Sequence, residues 1–333
     1  MLSYDKHPIA LQVELTNHCP YTCLGCPRTE HMDRPLGMMS FDTFRKVVDA
    51  VSARQRAHVP MALHHMGESL LHPQIAELAR YATSKGVPTA VACRPNHLTP
   101  ERGEALLRAG VCIFVVSVDG LDTPTLRRLT GKVADYEKAE RNIEAFLAIK
   151  QRLASPALVQ IQMIAYEENA HQWDAYLQRF RREDPTITTS LKRYSSWTVP
   201  ELSRYGAQAV SFLGGRCTRP FRSFTVLWDG RVVPCNADHN GEVVLGNVND
   251  GIEDLWNGPL YEQFRAAFDD DALPADHMCR KCSLYPWKEE GAARPEGTAE
   301  AWFRGEKSSE GYSEAWWLRH WGHLVAREEV VAV

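Results

Sequence analysis

No stretch of this 333-residue chain approaches the run of about eighteen apolar residues that a helical membrane span needs. Neither sign of charge dominates: 38 Lys and Arg against 42 Asp and Glu leave a net charge of −4. There is therefore no basic field of the kind that holds nucleic acid. The N-terminus "MLSYDKHPIALQVEL" lacks a charged-then-apolar segment closed by a small-residue cleavage site, so a cytoplasmic protein without a membrane partner is expected. Internal repeats and low-complexity tracts are missing as well. What is present is ordinary for a globular protein, 44% hydrophobic and 24% charged residues, and the length suggests about two domains. The nine cysteines cannot all pair, and they gather into tight groups. In a reducing compartment such groups more often hold metal than disulfides. Cys93 and Cys112 stand alone in apolar stretches and read as small buried hydrophobes.

The first two hundred residues alternate strand-like and helix-like segments. Strand candidates are "ALQVEL" (10–15), "VPMALHH" (59–65), "PTAVAC" (88–93), "CIFVVSV" (112–118), "ALVQIQMIAY" (157–166) and "TITTSLKRY" (186–194). Helical periodicity fills the spaces between, as in 40–55, 72–86 and 99–110, with Ser40, Thr99 and Asp135 placed as N-caps. Alternation at this spacing implies parallel strands with right-handed crossovers. The fold class expected is α/β, a partial (β/α)6 TIM-like barrel over residues 1–200. Beyond 200 the pattern becomes that of a small α+β unit, 201–288. It contains a β-hairpin, "FTVLWDGRVVPC" (224–235), turning at Asp229-Gly230, and a helix over 251–270. Residues 289–333 read as a linker and a helical tail whose Trp316, Trp317 and Trp321 dock on the body.

"CPYTCLGC" places Cys19, Cys23 and Cys26 directly after the first strand, at the barrel rim where reactive groups collect. A structural zinc site wants four protein ligands, and His18 is too near Cys19 to chelate well. Three thiolates on a four-iron cubane leave one iron open to a non-protein ligand. C-x3-C-x2-C at the end of the first strand of a (β/α)6 pattern resembles the radical S-adenosylmethionine (SAM) superfamily. The resemblance implies a [4Fe–4S] cluster whose open iron is chelated by SAM, and reductive cleavage of SAM to a 5′-deoxyadenosyl radical. One departure stands out. The family usually has an aromatic residue before the third cysteine, near adenine; here it is Gly25, so the contact falls to Tyr21 or a later strand.

The same resemblance assigns "MGES" to the SAM ammonium, through the Gly67 backbone and Glu68. It assigns Ser117, in "VVSVDG", to the SAM ribose or carboxylate, and Arg128, with Arg127 as rival, to the carboxylate. Gln162 or Ile164, on the fifth strand, falls near the nucleoside. Around the mouth, Lys192, Arg193 and Tyr194 of "SLKRYSSW", with Trp197 and His65, are candidates to face substrate or do catalysis. His64 and His97 lie near strand ends and read as rim residues. The second cysteine set, Cys217, Cys235, Cys279 and Cys282, with "WDGRVVPC" and "LGNVNDGIEDLW" between, resembles the twitch module, a shortened SPASM domain. It implies one fully ligated auxiliary [4Fe–4S] cluster suited to moving electrons. A four-thiolate zinc site is the alternative reading.

Together the matches span about residues 10 to 285 and resemble carbohydrate-modifying enzymes of the 2-deoxy-scyllo-inosamine dehydrogenase type. They imply hydrogen abstraction from a hydroxyl-bearing carbon of a small sugar, cyclitol or sugar nucleoside in antibiotic biosynthesis. Oxidation would follow, with the auxiliary cluster as electron acceptor and a flavodoxin- or ferredoxin-like donor. The alternatives are a redox-neutral dehydration, deamination or decarboxylation, and a peptide-modifying (RiPP) maturase. Because the first strand begins within ten residues of Met1, no leader-peptide-binding domain is expected.

Overall fold

The computed structural model describes residues 6, 8–51, 55, 60–205, 217 and 219–282. The expected Trp-rich tail lies outside them. Six parallel strands form the first half: β1 (Ile9–Val13), β2 (Met61–Ala62), β3 (Thr89–Cys93), β4 (Ile113–Ser117), β5 (Leu158–Ala165) and β6 (Ile187–Arg193). Helices cross between them: α1 (Pro27–Glu30), α2 (Phe41–Ala50), α3 (Ile75–Ser84), α4 (Pro100–Arg108), α5 (Thr123–Thr130), α6 (Tyr136–Arg152) and α7 (Trp173–Phe180). Ser40, Thr99 and Asp135 each accept a backbone N–H at the start of α2, α4 and α6, so all three expected caps form. The partial barrel predicted from strand-helix alternation is the observed architecture.

The second strand is shorter than the apolar run suggested. The Leu63 N–H still reaches the Ala90 carbonyl (2.7 Å), but the next ladder donor, the Ala92 N–H, goes to the His64 ring at Nδ1 (3.3 Å). A side chain has taken the place of a backbone acceptor, and the strand ends there. The single helix expected over 251–270 is two, α9 (Ile252–Trp256) and α10 (Pro259–Asp269), because Pro259 cannot continue the first and instead opens the second at N1.

β7 (Ser223–Val226) follows the short α8 (Arg219–Arg222) and pairs in parallel with β1. β8 (Arg231–Val233) and β9 (Gly246–Asn247) then add on antiparallel. Among the described residues the sheet order is β6-β5-β4-β3-β2-β1-β7-β8-β9, so the hairpin continues the barrel sheet from the free edge of β1. The main core lies between the sheet and its helices, with Phe114 of β4 against Phe146 of α6 and Tyr176 and Phe180 of α7 fully buried. Around the hairpin, Phe224, Trp256, Tyr261 and Phe268 extend it, and Arg265 lies over the Trp256 ring (4.2 Å) and the Tyr261 ring (4.9 Å). The opposite, concave face of the sheet carries a small apolar patch, Ala90, Ile113, Val115 and Leu158.

Candidate functional site

The cysteine loop leaves β1 and is pinned from two sides. On one side its Thr22 and Leu24 N–H groups donate to the Thr130 and Leu129 carbonyls (3.2 and 2.8 Å), the orphan acceptors at the end of α5. On the other, Tyr166 donates to the Leu24 carbonyl (2.9 Å) and Tyr194 to the Gly25 carbonyl (3.0 Å), their rings 5.4 Å apart. Gly25 sits at φ +66°, and a Cβ there would lie 2.5–2.6 Å from the Tyr194 ring and hydroxyl. The Tyr194 ring, from just past β6, thus fills the space beside Gly25. Gly67 is held by close approach: a Cβ would run into the Thr16 carbonyl, and the neighbouring Glu68 N–H bonds the His18 carbonyl (2.9 Å). The loop after β2 therefore lies directly on the loop after β1.

Arg94, just past β3, is the hub of this mouth. Its Nη2 donates to Cys23 Sγ (3.3 Å) and its Nη1 to Asp119 and to the Ser117 carbonyl (3.3 Å). Its backbone N–H donates to Glu68 Oε2 (2.8 Å). Glu68 is buried, its other oxygen accepts the Leu70 N–H (3.1 Å), and burial pushes its carboxyl up to about 7. Asp119 also accepts the Ile164 N–H (2.8 Å), which locks the ends of β4 and β5 together. Burial raises all three thiols, Cys19 to about 11 and Cys23 to about 12, and Cys26 lies close enough to raise both of the others further. A cationic core reverses that preference by binding the thiolates. Among the described residues no three Cys, His, Asp or Glu side chains converge on a single-ion site. A cubane, which takes each thiolate at a different iron, suits such a spread set.

The other SAM-assigned residues divide. Ser117 and Gln162 are register partners, and the Gln162 amide donates to Ser117 Oγ (2.7 Å), beside Arg94. Tyr21 is buried, edge-on to His97 (5.6 Å) with Arg94 over its ring (5.9 Å), and its hydroxyl has no hydrogen-bond partner among the described residues. Arg128 is exposed on α5 and bonds Thr125 Oγ1 of its own helix (3.2 Å), while Arg127 caps the Ala134 carbonyl (3.0 Å). Lys192 lies on the concave face at the end of β6, its ammonium pKa lowered by burial against the opposing pull of Asp119. Arg193 is the last residue of β6, and Trp197 follows at a left-handed φ of 58°.

His65 is committed elsewhere. Its Nδ1 faces Glu14 Oε1 (3.2 Å) and its Nε2 the Asn236 carbonyl (2.9 Å). Glu14, one residue past β1, also takes both guanidinium Nη atoms of Arg34 and the N–H groups of Met66 and Trp228 (3.3 and 3.2 Å). Burial alone would raise this carboxyl, but the bonds from His65 and Arg34 hold it at about 2. Arg34 in turn donates to the His239 carbonyl (2.7 Å) and Asn240 receives the Asp33 N–H (2.8 Å). The segment after the first cysteine set is thereby clasped to the segment that carries Cys235. Cys217, Cys235, Cys279 and Cys282 lie near enough there to act on one another's charge. Cys217 is pushed up to about 12 by burial and by Cys235 and Cys282, and Cys279 is raised by burial and the other three. Arg219 reaches Cys235 Sγ (3.8 Å), as Arg94 reaches Cys23.

Glu14, Arg34, Arg94 and Asp119 escaped sequence reasoning. The signal for Glu14 was available: a carboxylate in an apolar run, in strand phase with Gln12. That for Arg94 was its place directly after "TAVAC".

Comparison with known proteins agrees with this geometry. Residues 13–178 match the family model of the radical SAM superfamily, and residues 217–283 that of SPASM, an iron–sulfur cluster-binding domain. An AdoMet-dependent heme synthase of Methanosarcina barkeri is 30% identical over 43% of this chain, and the match spans only 40% of that protein's length. The S-adenosyl-L-methionine-dependent 2-deoxy-scyllo-inosamine dehydrogenase of Niallia circulans is 19% identical over 84% of this chain and 94% of its own. A PqqA peptide cyclase of Gluconobacter oxydans is 24% identical over 84% of each. Among solved structures, native anSMEcpe with bound AdoMet superposes with a TM-score of 0.58 at 14% identity, covering 96% of this chain and 98% of that one. BtrN in complex with AdoMet and 2-DOIA gives 0.51 at 18% identity, over 78% and 87%. No helix among the described residues is long and apolar enough to cross a membrane. The two cysteine sets, the partial barrel between them and these matches place the chain in the radical SAM superfamily, with a SPASM/twitch iron–sulfur domain at its C-terminal side.

Proposed function

We propose that the chain oxidises a hydroxyl-bearing carbon of a small carbohydrate, cyclitol or sugar nucleoside to a ketone. What supports this reading is a second set of four cysteines, Cys217, Cys235, Cys279 and Cys282, near enough to act on one another's charge, in a chain whose barrel mouth already has its own three. A cluster held by four thiolates has no open iron and suits the acceptance of an electron. When bound at these two cysteine sets, the first cluster with SAM would supply hydrogen-abstracting radical chemistry and the second would supply a one-electron acceptor.

The polypeptide does the rest. Glu68, Ser117, Gln162 and the Gly67 backbone border the SAM position, and Tyr194 offers an aromatic face beside Gly25. Lys192, with its lowered pKa, is the acceptor of the hydroxyl proton. His65 and Glu14 tie the mouth to the auxiliary site and hold their separation fixed. A flavodoxin- or ferredoxin-like protein is the proposed electron source, and antibiotic biosynthesis the proposed setting, both as the sequence resemblance implies.

Peptide modification is the second reading, favoured by the PqqA peptide cyclase match over 84% of both chains. Anaerobic incubation of the reconstituted chain with SAM, reductant and a panel of sugars, cyclitols, nucleosides and peptides separates them by product mass. Oxidation gives a product lighter by two hydrogens, and dehydration one lighter by a water. Formation of 5′-deoxyadenosine with a peptide alone refutes the carbohydrate reading.

A further inference from the structure

Cys235 opens a short segment that the barrel fastens through its backbone. The His65 ring bonds the Asn236 carbonyl (2.9 Å), the Thr198 hydroxyl the Ala237 carbonyl (3.0 Å) and Arg34 the His239 carbonyl (2.7 Å). Held in this way, the segment meets two donors at the Cys235 sulfur. The Ala237 N–H lies 3.3 Å from Sγ, and Arg219 Nη1 lies 3.8 Å from it. The same Nη1 donates to Oδ1 of Asn236, which is buried. A guanidinium has no acceptor, so the amide atom that it meets is the oxygen. As a thiol, Cys235 also donates to that oxygen (3.4 Å). A metal-bound thiolate has no proton to give, which leaves Arg219 as the donor there.

Arg219 bears on a second member of the set as well. Burial and the neighbouring Cys235 push the Cys217 thiol up, while the Arg219 charge and backbone N–H pull the other way. Asp238 carries the opposite charge. It is buried, acts on Cys279 among other groups, and accepts the Glu242 and Val243 N–H groups (2.8 and 2.9 Å). Reduction makes a four-thiolate cluster more negative by one charge. A fixed cation and N–H···S bonds stabilise that reduced state and raise the potential, the more so where burial keeps the dielectric low. Arginine stays charged throughout the working pH range.

We infer that Arg219, aimed by Asn236, raises the reduction potential of the cluster held at the second cysteine set and so fits that cluster to accept an electron. Arg219 acts through the sulfur ligands, as a positioning residue. The inference rests on the oxidative reading, in which the second set serves as the one-electron acceptor.

The test is a potentiometric titration of the cluster-loaded full chain, followed by electron paramagnetic resonance with and without SAM. SAM binds only an open iron, so the signal that SAM leaves unaltered reports the second set. Arg219→Gln is expected to lower the midpoint of that signal by about 60 mV, a tenfold loss of preference for the reduced state in a one-electron couple. The SAM-responsive signal should keep its midpoint. Asn236→Ala, which releases the guanidinium, is expected to lower the second-set midpoint in the unaltered chain and to add nothing in the Arg219→Gln background. Should Arg219→Gln lose iron, Asn236→Ala decides alone. A second-set midpoint unmoved by these substitutions, an Asn236→Ala shift of equal size with and without Arg219, or no SAM-indifferent signal at all overturns the inference. The two readings fail separately. A lowered midpoint in a chain that removes water from its substrate refutes oxidation only. A ketone formed by a chain whose midpoint ignores Arg219 refutes the role of Arg219 only.

Discussion

Replacing Gly25 with alanine probes how the radical-cluster loop is held between α5 and the tyrosines. Two costs follow from the geometry. A residue with a Cβ at φ +66° costs about 1–2 kcal/mol in backbone energy alone. The same Cβ would meet Tyr194 at 2.5–2.6 Å, so the ring must swing away, giving up its bond to the Gly25 carbonyl and its packing on Tyr166. Overpacking of this kind costs about 1–3 kcal/mol more. Gly25→Ala should therefore lower stability by about 2–5 kcal/mol in total. In a Tyr194→Ala background only the backbone part remains, so the double-mutant cycle should show a coupling of about 1–3 kcal/mol. Urea unfolding of the reconstituted chain measures the cycle, and iron content reports whether Cys26 still ligates. A Gly25→Ala penalty of the same size with and without the Tyr194 ring would refute the reasoning.

Glu14→Ala removes the carboxylate that binds Arg34, His65 and two backbone N–H groups, and should cost about 3–5 kcal/mol by stranding buried charge. Because the folded pKa of Glu14 is depressed from 4.5 to about 2, its contribution is present above pH 4.5 and lost as pH falls toward 2. Glu14→Gln should flatten the acid limb of a stability profile in that window, and an unchanged limb would count against it. Arg94→Gln removes an N–H···S bond and a positive charge from Cys23. It should make the bound cluster harder to reduce, by about 60 mV for each tenfold of preference lost, as read by potentiometric electron paramagnetic resonance. Cys23→Ala should abolish SAM cleavage, whereas Cys279→Ala should leave 5′-deoxyadenosine formation and stop ketone formation; equal loss in both would deny the second set its separate role. If Lys192 takes the hydroxyl proton, activity should rise with pH up to its lowered pKa, and Lys192→Met should lose that rise together with about a hundredfold in kcat.

Much of the mouth was legible before any coordinates, because it is written in local signals. Cysteine spacing, strand phase and cap residues act over a few residues, so "CPYTCLGC", Ser40, Thr99 and Asp135 could be read directly. The second strand was overread because its ladder ends on a side chain, His64, which no propensity reports. The helix over 251–270 was overread because periodicity outweighed Pro259. Gly25 was noticed as a departure, but the ring beside it comes from a residue 169 positions away.

By itself the chain of residues determined the chemistry it can host: seven cysteines in two sets, and the alternation that makes a partial barrel. Periodicity and spacing survive in one dimension because a thiol, a turn or an apolar stripe acts on its near neighbours. Only the tertiary structure decided which polar groups meet. Glu14 finds the Trp228 N–H because β7 pairs with β1, and Gln162 meets Ser117 because the registers of β4 and β5 align. Those meetings depend on closing loops of many residues and burying polar atoms in pairs. That energy is settled by the whole fold and not by any one segment of it.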